Sequence, residues 1–308
     1  MIQKLPFEKN TEILWQKIYD SNSLKVLFLT YEWTEAWHET IGKEWEPYIL
    51  HVNDNVIAPF ARKGNEIIFA GGDEVADYLD IIGTDEAKKQ AWPEILDFLK
   101  NEGITSLHLN NIPQNSPTIE YFKTKTTSAM KEQDTTPMMT LPHTWEDYLS
   151  TLDKKARHEL ERKLRKFERE QEEIEIHDSN NPVADTDLFL SLMKLDERKK
   201  RFLTLDMESF FLMMIEKFQK NIVLTILTIT GAPAAAMLAF HYDDSLMGYN
   251  SGFNEQRFSG AGFYLKAMHI KRGVENGIKT YNFLQGSERY KYELGGKDFF
   301  VYKIDVTL

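Results

Sequence analysis

From Ile222 onward the chain reads as three apolar runs cut by turn residues. Ile222–Thr230 is β-branched and apolar, and Gly231-Ala232-Pro233 breaks it. Ala234–Tyr242 follows, then Asp243-Asp244-Ser245, then Leu246–Gly252. Runs of that length bounded by Gly, Pro and Asp predict a three-stranded meander. The period then changes. Phe263, Ala267, Ile270 and Val274 recur at helical spacing and predict a helix over Gly262–Asn276, stopped by Asn276-Gly277. Lys279–Leu284 is the next strand.

The same order occurs earlier in the chain. Glu46–Val52, Val56–Arg62 and Glu66–Ala70 are separated by Asn53-Asp54-Asn55 and Gly64-Asn65. A helix over Glu86–Asn101 ends at Glu102-Gly103, and Thr105–Asn110 is a strand. Glu102–Leu109 aligns with Asn276–Phe283, so the pattern predicts an internal duplication. The boundary is expected after Pro142, giving units 1–142 and 143–308. Pro113–Pro142, rich in Thr, Gln, Asn and Pro, is read as a closing strand plus connection. A charged helix is expected over Leu152–Glu173, capped by Ser150 with Asp153, with Leu152, Ala156, Leu160, Leu164 and Phe167 as its apolar stripe. Two more helices, Asp187–Lys200 and Asp206–Lys220, precede the second meander.

Composition narrows the functional classes. The 308 residues carry a net charge of -11, which excludes a dedicated nucleic-acid binder and in particular a DNA partner. With no cysteine there is no disulfide, thiolate metal site or Cys nucleophile. The histidines lack ligand spacing, so no metal is expected. Met1–Glu8 has no signal-peptide pattern, and no apolar run reaches membrane length. A cytoplasmic location is expected.

The most informative local feature is Arg257-Phe258-Ser259-Gly260-Ala261-Gly262, placed between a strand and a helix start. Unpaired amides at a helix N-terminus favour an anion, and glycines let backbone approach phosphate oxygens. Arg257 can add a charge-assisted contact. The corresponding place in the first half reads Gly83-Thr84-Asp85-Glu86-Ala87, where carboxylates would repel such a ligand. The alternative is an ordinary loop in which Ser259 caps the helix.

Arg257-x-x-Gly260-x-Gly262 resembles the Gln/Arg-x-x-Gly-x-Gly/Ala loop of GNAT-type acyltransferases. Tyr249–Asn254, Tyr281–Tyr292, the basic Lys154–Arg169 helix and Asp77–Asp80 resemble the BioF2-like/CelD acetyltransferase group, related to FemAB peptidyltransferases. The resemblance spans roughly residues 20–300. It implies an α/β (α+β) fold of two tandem GNAT-like domains, each a mixed β-sheet flanked by helices, the first degenerate and the second binding acyl-CoA. It also implies that Arg257, Ser259, Gly260, Ala261 and Gly262 cradle the pyrophosphate of acetyl-CoA or another acyl-CoA. The acceptor is expected to be a small-molecule primary amine; an amino sugar or envelope-polysaccharide precursor follows from resemblance alone. Glu293, where the group commonly has a basic or aromatic residue, departs from the Fem pattern.

Acyl transfer to an amine needs a base, donors to the carbonyl oxygen and help for the leaving thiolate. Glu288 is the candidate base and Tyr290 the candidate acid, with Lys291 holding an anionic substrate group. Asp77, Tyr78 and Asp80 are candidates for binding a cationic or hydroxyl-rich acceptor. Each set has a plain structural alternative: a solvated turn for the first, helix capping and core packing for the second. Lys154–Arg169 carries eight Lys/Arg against three Glu, and Arg157 is its candidate substrate contact against the alternative of a solvated helix face. His241, alone on an apolar strand, is read chiefly as a packed residue. The competing functions are an aminoacyl-tRNA-dependent Fem-like transferase, in which tRNA would be a partner, and a non-catalytic binding module on the same fold.

Overall fold

The computed structural model describes residues 1–125 and 128–308. Two compact units divide the chain, Met1–Thr135 with Phe299–Leu308, and Thr136–Asp298. The first begins with β1 (Ile2–Leu5), α1 (Lys9–Tyr19) and α2 (Tyr31–Glu39). Its meander is β2 (Glu46–Val52), β3 (Val56–Lys63) and β4 (Glu66–Phe69), followed by α3 (Asp85–Asn101), β5 (Ser106–Pro113), α4 (Pro117–Phe122) and β6 (Ser128–Thr135). The second contains β7 (Met138–Thr140), α5 (Trp145–Thr151), α6 (Lys154–Glu170), β8 (Ile174–Asp178), α7 (Thr186–Met193), α8 (Glu197–Phe202) and α9 (Leu205–Lys217). It continues with β9 (Ile222–Ile229), β10 (Ala232–Tyr242), β11 (Ser245–Phe253), α10 (Ala261–Glu275), β12 (Thr280–Asn282) and α11 (Arg289–Glu293). The chain then returns to the first unit as β13 (Phe300–Thr307).

Each unit is a mixed sheet. The first has the order β1-β2-β3-β4-β5-β13-β6 and the second β7-β12-β11-β10-β9-β8. Within each, a helix crosses from the third meander strand to a parallel neighbour: α3 joins β4 to β5, and α10 joins β11 to β12. The expected order of strand, strand, strand, helix, strand is thus present twice.

Three local expectations change. The helix expected over Leu152–Glu173 is two helices, because Leu152 is extended and Asp153, not Ser150, is the cap of α6; its Oδ1 accepts from the amides of Lys155 and Ala156, each at 2.9 Å. The helix expected over Asp187–Lys200 also breaks, since Asp196 caps α8 through the amides of Arg198 and Lys199. In Pro113–Pro142, of which residues 126–127 lie outside the described residues, a short helix α4 accompanies the strands. The last strand had no counterpart in the sequence reading. It inserts antiparallel between β5 and β6, with Val306 facing Leu107 and Ser128.

The core of the second unit lies between its sheet and α10. Leu265, Ala267, Ile270 and Val274 pack against Leu227, Ala235, Met237 and Ala239. The alanines on β10 let the helix approach closely, which fixes where the start of α10 sits relative to the end of β11.

Candidate active site

β11 and β12 pair in parallel over three positions only, Ser245–Met247 against Thr280–Asn282. Beyond Met247, β11 runs on to Phe253 with no strand on that side among the described residues. Such an edge presents unpaired backbone groups that an extended ligand arm can meet. At its far end the chain turns through Asn254–Gly260 into α10.

That turn depends on two glycines. Gly260 is the N-cap of α10 with φ +86°, a left-handed conformation costly for a side chain. A Cβ on Gly262 would meet the Phe253 ring at 2.6–2.9 Å. The cap provides no side-chain acceptor. The Ala261 amide bonds the Phe258 carbonyl at 3.0 Å, while those of Gly262 and Phe263 make no hydrogen bond among the described residues. These are the outward-facing donors an anion requires.

One carboxylate already stands in the loop. Glu255 accepts from the Gly260 amide at 3.1 Å and from Ser259 Oγ at 2.9 Å. Asn254 Oδ1 accepts from the Arg257 amide at 3.0 Å, and the exposed Arg257 guanidinium lies 4.8 Å from the centre of the Phe258 ring. The sequence reading weighed carboxylates in the first-half counterpart and missed this one, although it stands five residues before Gly260.

After β12 the chain reverses through Leu284 (φ +57°) and Gly286 (φ +112°). Lys291 holds this reversal. Its Nζ donates to the carbonyls of Leu284 at 2.9 Å and Gln285 at 2.6 Å and pairs with Glu288 at 3.0 Å, with the side chain only 2% exposed. Lys291 is therefore an internal clamp; it does not present an open ammonium to a substrate anion. The Glu288 side chain is 58% exposed and reaches solvent. Burial, and secondarily Glu288, push the Tyr290 phenol above its ordinary pKa, so it stays protonated.

Two further lysines gather here, and the sequence reading named neither. Lys199 on α8 donates from Nζ to the Ser251 carbonyl of β11. Lys266, on the second turn of α10, is buried, with Nζ 4.8 Å from the ring centre of Tyr290 and 5.1 Å from that of Phe253. Burial, with Lys199 and Lys291 nearby, lowers its pKa to about 7 against the raising effect of Glu288. The available signal was a lysine inside the otherwise apolar stretch Tyr264-Leu265-Lys266-Ala267.

The remaining candidates are placed differently. On α6 much of the positive charge is paired, Arg162 with Glu159 and Lys163 with Glu293 at 2.7 Å each. Arg157 is exposed. A cavity of about 470 Å³ is lined by Lys154, Lys155, His158, Glu159 and Arg289. In the first unit, Asp80 is interior: it pairs with Lys88 at 3.1 Å and accepts from Ser116 and Thr118, each at 2.6 Å. Tyr78 is buried, with ring contacts to Phe28 and Phe299, and Asp77 is buried too. Asp80 is thus an ionic anchor and Tyr78 a packed ring where acceptor contacts were expected. His241 is exposed and lines a 240 Å³ cavity with His269. Among the described residues no three His, Asp or Glu side chains assemble a metal site, and no helix is long and apolar enough to cross a membrane.

Residues 154–292 match the family described as Acetyltransferase (GNAT) domain. A comparison with curated protein sequences finds no match. Solved structures share the fold across the whole chain. A conserved protein of unknown function from Bacteroides thetaiotaomicron aligns with TM-score 0.69 at 11% identity, covering all of both chains. FemX aligns with TM-score 0.65 at 12% identity over 99% of this chain and 97% of its own. A tandem GNAT protein from the clavulanic acid biosynthesis pathway aligns with TM-score 0.54 at 9% identity over 99% and 97%. The β11–loop–α10–β12 arrangement and the unpaired amides of its loop thus lie inside the matched segment. Residues 154–292 of the second unit match the acetyltransferase (GNAT) domain family, in a chain whose fold is that of tandem GNAT and FemX-like proteins.

Proposed function

We propose that the chain transfers an acyl group, acetyl in the simplest case, from acyl-CoA to a primary amine in a ternary complex. The observation that carries this reading is the Gly260-capped start of α10, with its unmatched amides beside the unpaired edge of β11. The pyrophosphate would meet the amides of Gly262 and Phe263 with Arg257 alongside, and the pantetheine arm would run along β11 beyond Met247. The amine attacks the thioester carbonyl carbon and passes its proton to Glu288, directly or through water. The C–S bond then breaks and the thiolate takes up a proton from solvent. Tyr290, which keeps its own proton, steadies the departing sulfur by a hydrogen bond. An amino sugar or another envelope-polysaccharide precursor is the proposed acceptor, in the cytoplasm.

Glu255 favours a second reading. A carboxylate that already satisfies the Gly260 amide is what a loop with no pyrophosphate to hold would retain, and aminoacyl-tRNA would then be the donor. Thermal shift and calorimetry with acetyl-CoA, longer acyl-CoAs and aminoacyl-tRNA separate the two. Stabilisation by a CoA species, lost in Gly260→Asp, is the expected result. A response to aminoacyl-tRNA alone, or to nothing, overturns the acyl-CoA reading.

A further inference from the structure

We infer that Lys199 and Lys266 together bind an anionic oxygen group, a carboxylate or a phosphate, carried by the acceptor. This deepens the acyl-transfer reading and rests on it only for assigning the anion to the acceptor.

The argument starts from hydrogen-bond and charge accounting. Three amines converge where β11 ends. Lys291 donates to two carbonyls and to Glu288, which is the full capacity of an ammonium. Lys199 has one acceptor, the Ser251 carbonyl. Lys266 contacts only the faces of Phe253 and Tyr290 and has no hydrogen-bond or ion-pair partner among the described residues. Lys199 and Lys266 thus keep hydrogen-bonding capacity unspent, and Lys266 is buried. Glu288, the carboxylate facing them, is already engaged by Lys291.

Buried polar groups are ordinarily matched, and buried charges are ordinarily paired. A bridging water could accept hydrogen bonds from both lysines but would leave their charges facing each other. An anionic oxygen group satisfies both requirements. The aromatic faces of Phe253 and Tyr290 hold Lys266 in place without neutralising it.

The position separates this anion from the donor's pyrophosphate. Lys266 lies three to four residues beyond the unmatched amides of Gly262 and Phe263, about 4.5–6 Å along the helix axis. Lys199 is tied to Ser251, on the stretch of β11 that β12 leaves unpaired. An anion shared by the two lysines therefore lies beside the proposed path of the acyl arm, near Glu288. An amine acceptor that also bears a carboxylate or phosphate would be anchored by that group while its nitrogen is presented for transfer.

The groups facing Lys266 are Lys199 from α8 and Glu288, Tyr290 and Lys291 from the α11 segment. They define a signature. With the ammonium titrating at about 7 in the empty site, most of the population is neutral at pH 8. An anion that restores the charge draws in close to one proton.

The test is calorimetry at pH 8 with inorganic phosphate, and separately with acetate, in buffers of different ionisation enthalpy. The proteins are wild type, Lys199→Met, Lys266→Met and Lys266→Arg. Phosphate or acetate should bind wild type with proton uptake, and binding should weaken about tenfold or more in each Met variant. Lys266→Arg should keep binding but lose the proton uptake. Whichever anion binds more tightly distinguishes a phosphate-bearing acceptor from a carboxylate-bearing one. Thermal unfolding checks that the Met variants are folded. Equal anion affinity in wild type and both Met variants overturns the inference. So does anion binding that acetyl-CoA abolishes, because the anion then sits in the donor loop. If no CoA species binds but the lysine-dependent anion site is found, the acyl-CoA reading fails and the site stands.

Discussion

On the acyl-CoA reading Glu255 sets a carboxylate in the loop beside the amides the donor would use, and replacing it by Gln gives the sharpest test of the loop. The carboxylate accepts from the Gly260 amide and Ser259 Oγ. A bound pyrophosphate must displace it or tolerate it. Charge-assisted contacts of this type are worth about 1.5–3 kcal/mol when protected, and less at an exposed loop. Repulsion between the carboxylate and one phosphate charge about 5 Å away is roughly 0.8 kcal/mol in water before salt screening. Gln keeps an acceptor for the amide and removes the charge. Taking about 1 kcal/mol as the net change, Glu255→Gln should tighten acetyl-CoA binding roughly fivefold. The gain should shrink in high salt. Pantetheine, which has no pyrophosphate, should bind both proteins equally. Calorimetry with the two ligands at low and high salt reads all of this. Weaker acetyl-CoA binding in Glu255→Gln, or an equal gain for pantetheine, would refute the competition.

Three further outcomes follow from the geometry. Lys88→Met strands Asp80, whose side chain like that of Lys88 is 2% exposed, and should cost the first unit about 3–5 kcal/mol in denaturant unfolding; an unchanged midpoint would contradict the buried pairing. Gly252→Ala places a Cβ 2.3 Å from the Met193 amide nitrogen on α7, a backbone clash that should cost about 1–3 kcal/mol by the same measurement. Lys266 carries a pH signature of known sign. Its pKa is about 7 when folded against 10.5 as the ordinary value, so the unfolded chain holds the extra proton between those limits. Stability should fall as pH drops from about 10.5 to about 7 and level off below, and Lys266→Met should flatten that slope, stabilising the protein at neutral pH by a few kcal/mol. Identical slopes in the two proteins would remove the premise of an uncompensated buried amine.

The elements were legible where one periodicity ran unbroken. The meander strands and α10 stand within a residue or two of their expected bounds because apolar runs and Gly or Asp turns act locally. The return of Phe300–Thr307 to the first unit was not legible. The apolar residues Val301, Ile304 and Val306 do not say which edge the segment joins, and that choice is made by β5 and β6, more than 160 residues earlier in the chain. Asp80 and Lys291 were misassigned for a related reason. A charged residue in a sequence looks available, and only packing shows that Lys88, Ser116 and Thr118 occupy the one and that Leu284, Gln285 and Glu288 occupy the other.

The two matching helix starts differ in cap residue and in charge. The sequence placed repelling carboxylates at Asp85 and Glu86 and none in the second-half loop, yet Glu255 puts one there. What separates the two helix starts is the first turn itself, which carries Asp85 and Glu86 in α3 and no acidic residue in α10. In the first unit Thr84 Oγ1 accepts from the Ala87 amide at 3.3 Å and the Gly83 amide, ahead of the helix, donates to Asn22 Oδ1 at 3.1 Å, while the amides of Asp85 and Glu86 make no hydrogen bond among the described residues. In the second unit the cap is Gly260, which has no side chain, and the amides of Gly262 and Phe263 are left for something else. Glycine at this cap suits the left-handed backbone, φ +86°, and costs roughly a few tenths of a kcal/mol relative to Ser, Thr, Asn or Asp. Substituting Ser for Gly260 would add that cap at the expense of the left-handed backbone. Both helix starts leave two amides open, so the first-turn carboxylates Asp85 and Glu86, with no counterpart in the first turn of α10, are the difference that favours the second half as the proposed donor site.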